Sequence, residues 1–176
     1  MNEAEEVREY PLGDDDIRHL LGHDIKILTY PMLEKYSDIN QCFDKKGRCI
    51  ILYLTEDEHT GHWCCMLRTK KGIEFFDPYG DRPDTQLDDV PYDRLQRMNE
   101  DEPYLMNLLK KSGLPVYYNK YAFQKSGGDI NTCGRHCVSR LLHGGKSLKQ
   151  YKSIIDKTGL EPDDFVSGLT FMKLKK

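Results

Sequence analysis

The stretch GHWCCMLRTKKGIEFFDPYG, residues 61–80, decides how this chain folds. Two runs rich in aromatic and aliphatic residues, Gly61 to Thr69 and Gly72 to Asp77, flank the short polar connection Lys70-Lys71-Gly72. That pattern predicts a β-hairpin, and Pro78-Tyr79-Gly80-Asp81 ends its second strand. With Thr69 to Gly72 as a four-residue loop, Arg68 faces Ile73 and Cys64 faces Asp77. His62 then shares a sheet face with Asp77 one diagonal step away, where roughly 7 Å separates the backbones and side chains can meet. A slip of one residue would put them on opposite faces. The expected pairing sets an imidazole against a carboxylate, which orients the ring and stabilises its protonated form.

Outward from the hairpin, the segment Arg48 to Thr55 reads as an apolar strand buried on both faces, and Ile25 to Tyr30 as a shorter one. Asp14-Asp15-Asp16 favours the start of a helix through Leu21, closed by Gly22. Pro31 opens a further helical turn through Tyr36. Downstream, Glu102 to Ser112 is helical and ended by Gly113, and Val116 to Tyr118 is a possible strand. Thr132 to His143 is an amphipathic helix, and Ser147 to Lys157 and Pro162 to Phe171 complete a helical C-terminal third. Central strands with helices on either side imply an α+β domain over residues 11–176, preceded by a flexible arm at residues 1–10.

The 176 residues are 38% hydrophobic and 31% charged, with a mean hydropathy of −0.69. That length suffices for one buried core. No apolar run approaches a membrane span, and the acidic start, MNEAEEVREY, carries no secretory pattern, so an intracellular protein with no membrane partner is expected. Six cysteines are too sparse for a disulfide scaffold and suit reduced thiols. The net charge of −3 argues against a general nucleic-acid binder. The charge is uneven: residues 1–100 carry 13 basic against 22 acidic side chains, and residues 101–176 carry 13 against 7. A dipolar surface explains this, and a docking face for a polyanion that includes Lys149, Lys152, Lys173, Lys175 and Lys176 is the alternative.

Chemistry concentrates in Gly61-His62-Trp63, in Phe76-Asp77-Pro78-Tyr79-Gly80, and in Thr132-Cys133-Gly134-Arg135-His136-Cys137. A thiol at the start of a helix feels the positive end of the dipole and unpaired amides, which favour thiolate, and a nearby imidazolium lowers its pKa further. Gly134 lets a substrate come close to the backbone, whose amides can hold an oxyanion, and Gln124 can add a side-chain donor. Singly, each of these residues also fits a packed strand, a turn or a helix core.

Together they resemble the adenovirus-type and ubiquitin-like-protein-processing cysteine proteases, and within that group the maturation proteases of virophages and Polinton-type elements. The resemblance rests on Gly61-His62-Trp63, Phe76 to Gly80, Gln124 and Thr132-Cys133-Gly134. It extends more weakly to Leu12 to Arg18 and to Arg135 to Leu141. It implies a papain-like fold of the adenain and SUMO-protease type, with a central mixed or antiparallel sheet flanked by helices. It also implies His62 as general base, Asp77 as its orienting acid and Cys133 as nucleophile. Trp63 and Gly134 would wall the site, and Gln124 would share the oxyanion hole with the backbone amide of Cys133. Gln124 lies nine residues before Cys133, a longer gap than is usual in the group. Either Gly127-Gly128-Asp129 bulges outward, or Asn131 or a backbone amide supplies the second donor.

The implied activity is a thiol endopeptidase that trims capsid or other virion proteins, without cofactor or metal. It would work as a monomer in the virion and the reducing interior of the host cell. Two further readings use the same residues. One is an isopeptidase removing ubiquitin-like modifiers. The other is a non-catalytic zinc or nucleic-acid-binding module, its zinc site drawn from His62, Cys64, Cys65, Cys133, His136 and Cys137, although no paired C-x-x-C knuckle is present.

Overall fold

The computed structural model describes residues 2–57, 59–127 and 130–176. Five strands form one mixed sheet in chain order: β1 (Lys26–Thr29), β2 (Arg48–Leu54), β3 (Gly61–Thr69), β4 (Gly72–Phe76) and β5 (Val116–Tyr118). β3 is antiparallel to both β2 and β4, while the two outer pairs, β1 with β2 and β4 with β5, are parallel. The hairpin has the register read from its turn, Arg68 opposite Ile73, with Cys65 opposite Phe76 as the last pair.

Among the described residues, seven α-helices complete the fold: α1 (Glu3–Glu9), α2 (Asp14–Leu21), α3 (Tyr92–Arg97), α4 (Tyr104–Ser112), α5 (Cys133–Leu142), α6 (Leu148–Thr158) and α7 (Pro162–Leu174). They cover both faces of the sheet. Alternation along β2 sends Ile50, Leu52 and Leu54 into a core with α2, α5 and α6. Cys49, Ile51 and Tyr53 go into a second core with α4 and the 3-10 turn at Tyr30–Lys35. The sheet is thus a buried middle layer, which is why β2 reads as an unbroken apolar run.

The segment expected to be a flexible arm is helical from Glu3 to Glu9. Asn2 and Glu5 form a reciprocal capping box at 2.9 Å each way, and the resulting α1 lies along α7. Arg8 pairs with Asp164 at 3.6 Å. The backbone carbonyls of Arg8 and Glu9 accept hydrogen bonds from Asn131, and that of Tyr10 from Arg135. Helix α3 was not foreseen, and the strand expected from Ile25 to Tyr30 is shorter than read.

Helix α5 crosses β3 with α2 and α7 behind it, and its axis is pinned by a buried ion pair. Arg140 donates to both oxygens of Glu74 on β4, Nε to Oε2 at 2.8 Å and Nη2 to Oε1 at 2.9 Å. It also donates to the carbonyls of His143 and Lys146. A planar guanidinium satisfied on every side can hold only one orientation, so the N-terminus of α5 is set relative to the hairpin.

Candidate active site

The start of β3, the turn after β4 and the first turn of α5 meet at one end of the sheet. His62 is buried, and its Nε2 lies 2.8 Å from Asp77 Oδ1. Asp77 is fully buried and held from several directions. Its Oδ1 also accepts the Tyr79 amide at 2.8 Å, its Oδ2 accepts Gln86 Nε2 at 3.1 Å, and its own amide donates to Asn119 Oδ1 at 3.1 Å. Asn119 Nδ2 donates in turn to the Asp77 carbonyl at 2.6 Å. Tyr79 stacks on the His62 ring.

The turn carrying Asp77 needs a glycine at position 80. Its φ is +83°, and a Cβ there would stand 3.1 Å from the carbonyl carbon and oxygen of Tyr121. That close approach lets the Pro78 carbonyl accept the amides of Phe123 and Gln124, at 2.8 and 2.9 Å. The turn after β4 and the loop leading to α5 are therefore stitched together.

Cys133, the first residue of α5, is half-buried, and His62 is the charged group that acts on it most strongly. Because Nε2 of His62 serves Asp77, Nδ1 is the ring nitrogen left for the sulfur. Burial alone would push the Cys133 thiol up. His62 outweighs burial, with help from the backbone amides of Trp63 and Gly134, and holds the thiol below its ordinary value of 9.0. Burial would likewise push His62 down, but Asp77 and Cys133 hold it up at about 10. Both shifts favour the same state, a thiolate beside an imidazolium. Such a pair can attack a carbonyl carbon and then protonate a leaving amine.

Trp63 is buried against Gly134, where a Cβ would lie 3.1 Å from the indole Cδ1 and 3.3 Å from Leu12 Cβ. The glycine at this position therefore admits the indole and Leu12, a different reason from the substrate approach read in the sequence. Gln124 is buried, its Nε2 donating to the Ile130 carbonyl at 3.3 Å while its Oε1 has no partner. One amide proton is thus anchored to the loop just ahead of Cys133. Asn131, the alternative donor, instead gives its amide to Glu9 at 2.9 Å. The expected bulge at Gly127-Gly128-Asp129 falls mostly outside the described residues, which include Gly127 but not Gly128 or Asp129.

Of the six residues weighed as zinc ligands, His62 and Cys64 share a buried cluster with Asp77, their ligand atoms all within 4.8 Å of one another. His62 and Asp77 are already bonded to each other there, and burial pushes the Cys64 thiol up, away from the thiolate a metal requires. His136 is turned to Asp163, and the Cys137 thiol donates to the Trp63 carbonyl at 3.4 Å. The six do not converge on one point among the described residues. Gln86 and Asn119, which grip Asp77, were not singled out in the sequence. Each is a lone amide with no spacing or motif to mark it.

No family model matches the chain. Over 175 residues, 97% of this chain and 99% of the other, it is 35% identical to uncharacterized protein V9 of Sputnik virophage. The chain belongs to the V9 family. Solved structures similar to this V9 relative include the central domain of the Legionella pneumophila protein Lpg1148, at TM-score 0.45 and 19% identity, covering 94% of this chain and 99% of that one. The SUMO protease Ulp1, with its catalytic cysteine oxidized to a sulfinic acid, gives 0.37 and 14%, over 94% and 80%. The C-terminal Ulp1 protease domain in complex with SMT3, the yeast ortholog of SUMO, gives 0.39 and 14%, over 96% and 80%. No helix among the described residues is long and apolar enough to cross a membrane.

Proposed function

We propose that this V9-family protein is a cysteine endopeptidase that matures virophage capsid or other virion proteins. The carrying observation is the His62–Asp77 pair, bonded at 2.8 Å, beside Cys133 at the start of α5, whose thiol His62 holds below its ordinary value. Asp77 orients and stabilises the His62 imidazolium. Tyr79, Gln86 and Asn119 keep that carboxylate in place.

The Cys133 thiolate attacks the scissile carbonyl carbon, and the carbonyl electrons move onto oxygen. The backbone amide of Cys133 and the free proton of the Gln124 amide hold the oxyanion. His62 passes its proton to the departing amine as the C–N bond breaks, leaving a thioester. It then takes a proton from water, whose oxygen attacks the thioester and releases the new carboxylate and the thiolate. Trp63 and Gly134 close one side of the sulfur. The protein works as a monomer on a protein substrate, in the virion and the reducing interior of the infected cell, where Cys133 stays a free thiol.

The test is co-expression of the chain, wild type or Cys133→Ala, with the major capsid protein of the same genome, read by mass spectrometry. A cut made by wild type alone supports the reading. Uncut capsid and virion proteins with both forms, or cleavage confined to a ubiquitin-like substrate, would overturn it.

A further inference from the structure

Asp163, the second residue of α7, is 3% exposed and lies outside the Asp77–His62–Cys133 series. Its two oxygens hold the loop before the nucleophile at both ends. Oδ1 accepts the Thr132 hydroxyl at 2.6 Å and lies 2.8 Å from His136 Nε2, while Oδ2 accepts the Lys125 amide at 3.1 Å. Thr132 immediately precedes Cys133, Lys125 immediately follows Gln124, and His136 sits one turn into α5. A single carboxylate thus touches the neighbour of the nucleophile and the neighbour of the expected oxyanion donor.

The Thr132 hydroxyl is used in an unusual way. A threonine ahead of a helix ordinarily takes extended backbone and turns its oxygen onto the amides of its own first turn. Thr132 has φ −100° and ψ 2°, makes no capping bond to α5, and gives its hydroxyl to Asp163. The first-turn amide of Gly134 is thus left uncapped by Thr132, and with the Trp63 amide it helps hold the Cys133 thiol below its ordinary value. Burial alone would raise the Asp163 carboxyl, yet the His136 and Thr132 bonds outweigh burial and hold it below the ordinary carboxylate value. His136 is pushed down by its own burial, so the pair is a carboxylate accepting from a neutral ring.

We propose that Asp163 is a positioning residue for Cys133: from α7 it fixes Thr132, and through it the first turn of α5 on which the sulfur sits. The inference rests on reading Cys133 as the nucleophile. The titratable groups that act on the Cys133 charge are His62 and Cys64 on β3, Tyr79 in the turn after β4 and Cys137 on α5, and none is touched by the substitutions below.

The test follows iodoacetamide alkylation of Cys133 by mass spectrometry between about pH 5 and 9 in wild type, Thr132→Val, Thr132→Ser and Asp163→Asn. The other five cysteines are buried in the folded protein, so the label reports Cys133. Thr132→Val and Asp163→Asn should move the midpoint up by about one unit, making alkylation roughly tenfold slower on the acid side of the profile. Thr132→Ser, which keeps the hydroxyl, should stay within about twofold of wild type. On a cleavable substrate, kcat should fall in parallel with little change in KM. Thr132→Val and Asp163→Asn profiles that superimpose on wild type, with circular dichroism reporting a folded chain, would overturn the proposal. If Asp163→Asn does not fold, Thr132→Val decides alone. A wild type that alkylates like an ordinary thiol sinks the nucleophile reading and this one together, whereas a reactive wild type with unmoved variants sinks only this one.

Discussion

Tyr79 lies flat against His62, ring centroids 4.6 Å apart and planes 13° from parallel. Asp77 restrains the imidazole within its plane and Tyr79 restrains it out of plane, so rotation of the ring is blocked in both senses. Tyr79→Phe keeps the stack and should cleave like wild type. Tyr79→Ala should lower kcat roughly tenfold, the scale of a small misplacement of a reacting group, with KM little changed. Steady-state kinetics on a capsid-derived substrate checks both.

The Cys133–His62 pair makes a signed prediction for stability. His62 is held up at about 10 in the folded chain against its ordinary 6.5, so its contribution is full below 6.5 and is lost as pH rises through about 10. Cys133 is held below its ordinary 9.0, so its contribution is full above 9.0 and is lost as pH falls through the lowered value. Urea unfolding across this range should show both slopes in wild type and weaker ones in a His62→Ala, Cys133→Ala double variant.

Arg140 and Glu74 are each almost fully buried. Arg140→Met strands the carboxylate and should cost about 3–5 kcal/mol by urea unfolding. Replacing Glu74 with Leu as well should recover most of that loss, because the cost lies in the unpaired charge.

Gly80→Ala should destabilise by about 1–3 kcal/mol, since φ +83° and the Tyr121 carbonyl both oppose a Cβ. The same change should also lower kcat, because the turn carries Asp77 and accepts the Gln124 amide. A shift in melting temperature with unaltered turnover would show that the stitch between the two loops is dispensable for chemistry.

Gln124→Ala removes the proposed side-chain donor and should cost about 10²–10³ in kcat with KM nearly unchanged. Equal activity in wild type and variant would hand the oxyanion to backbone amides alone.

The hairpin was legible because strand period, turn composition and the Asp-Pro break agree locally, and its register follows from loop length. Cys133 at a helix start was legible for the same reason, since Thr132-Cys133-Gly134 opens a clear amphipathic run. Gln86 and Asn119 were not, because they reach Asp77 across 9 and 42 residues and only tertiary packing brings them there. Asp163 likewise meets Thr132 across 31 residues. Helix α1 was not legible: Asn2 and Glu5 carry the spacing of a capping box, but few apolar residues surround them to give the acidic segment a helical period. Helix α3 buries Leu95 alone, so it has no periodicity to detect.

Helix α1 lies along α7, and Lys175 reaches Glu3 at 3.2 Å, so the two ends of the described chain emerge side by side. A short polar linker from residue 176 back to residue 2 would span that gap without crossing the sheet. The chain is therefore a natural candidate for circular permutation, with new ends opened in an exposed connection such as Lys70-Lys71. A permuted chain of this kind would hold α1 and α7 covalently side by side, turning a surface helix contact into a continuous stretch of polypeptide behind the Cys133 loop.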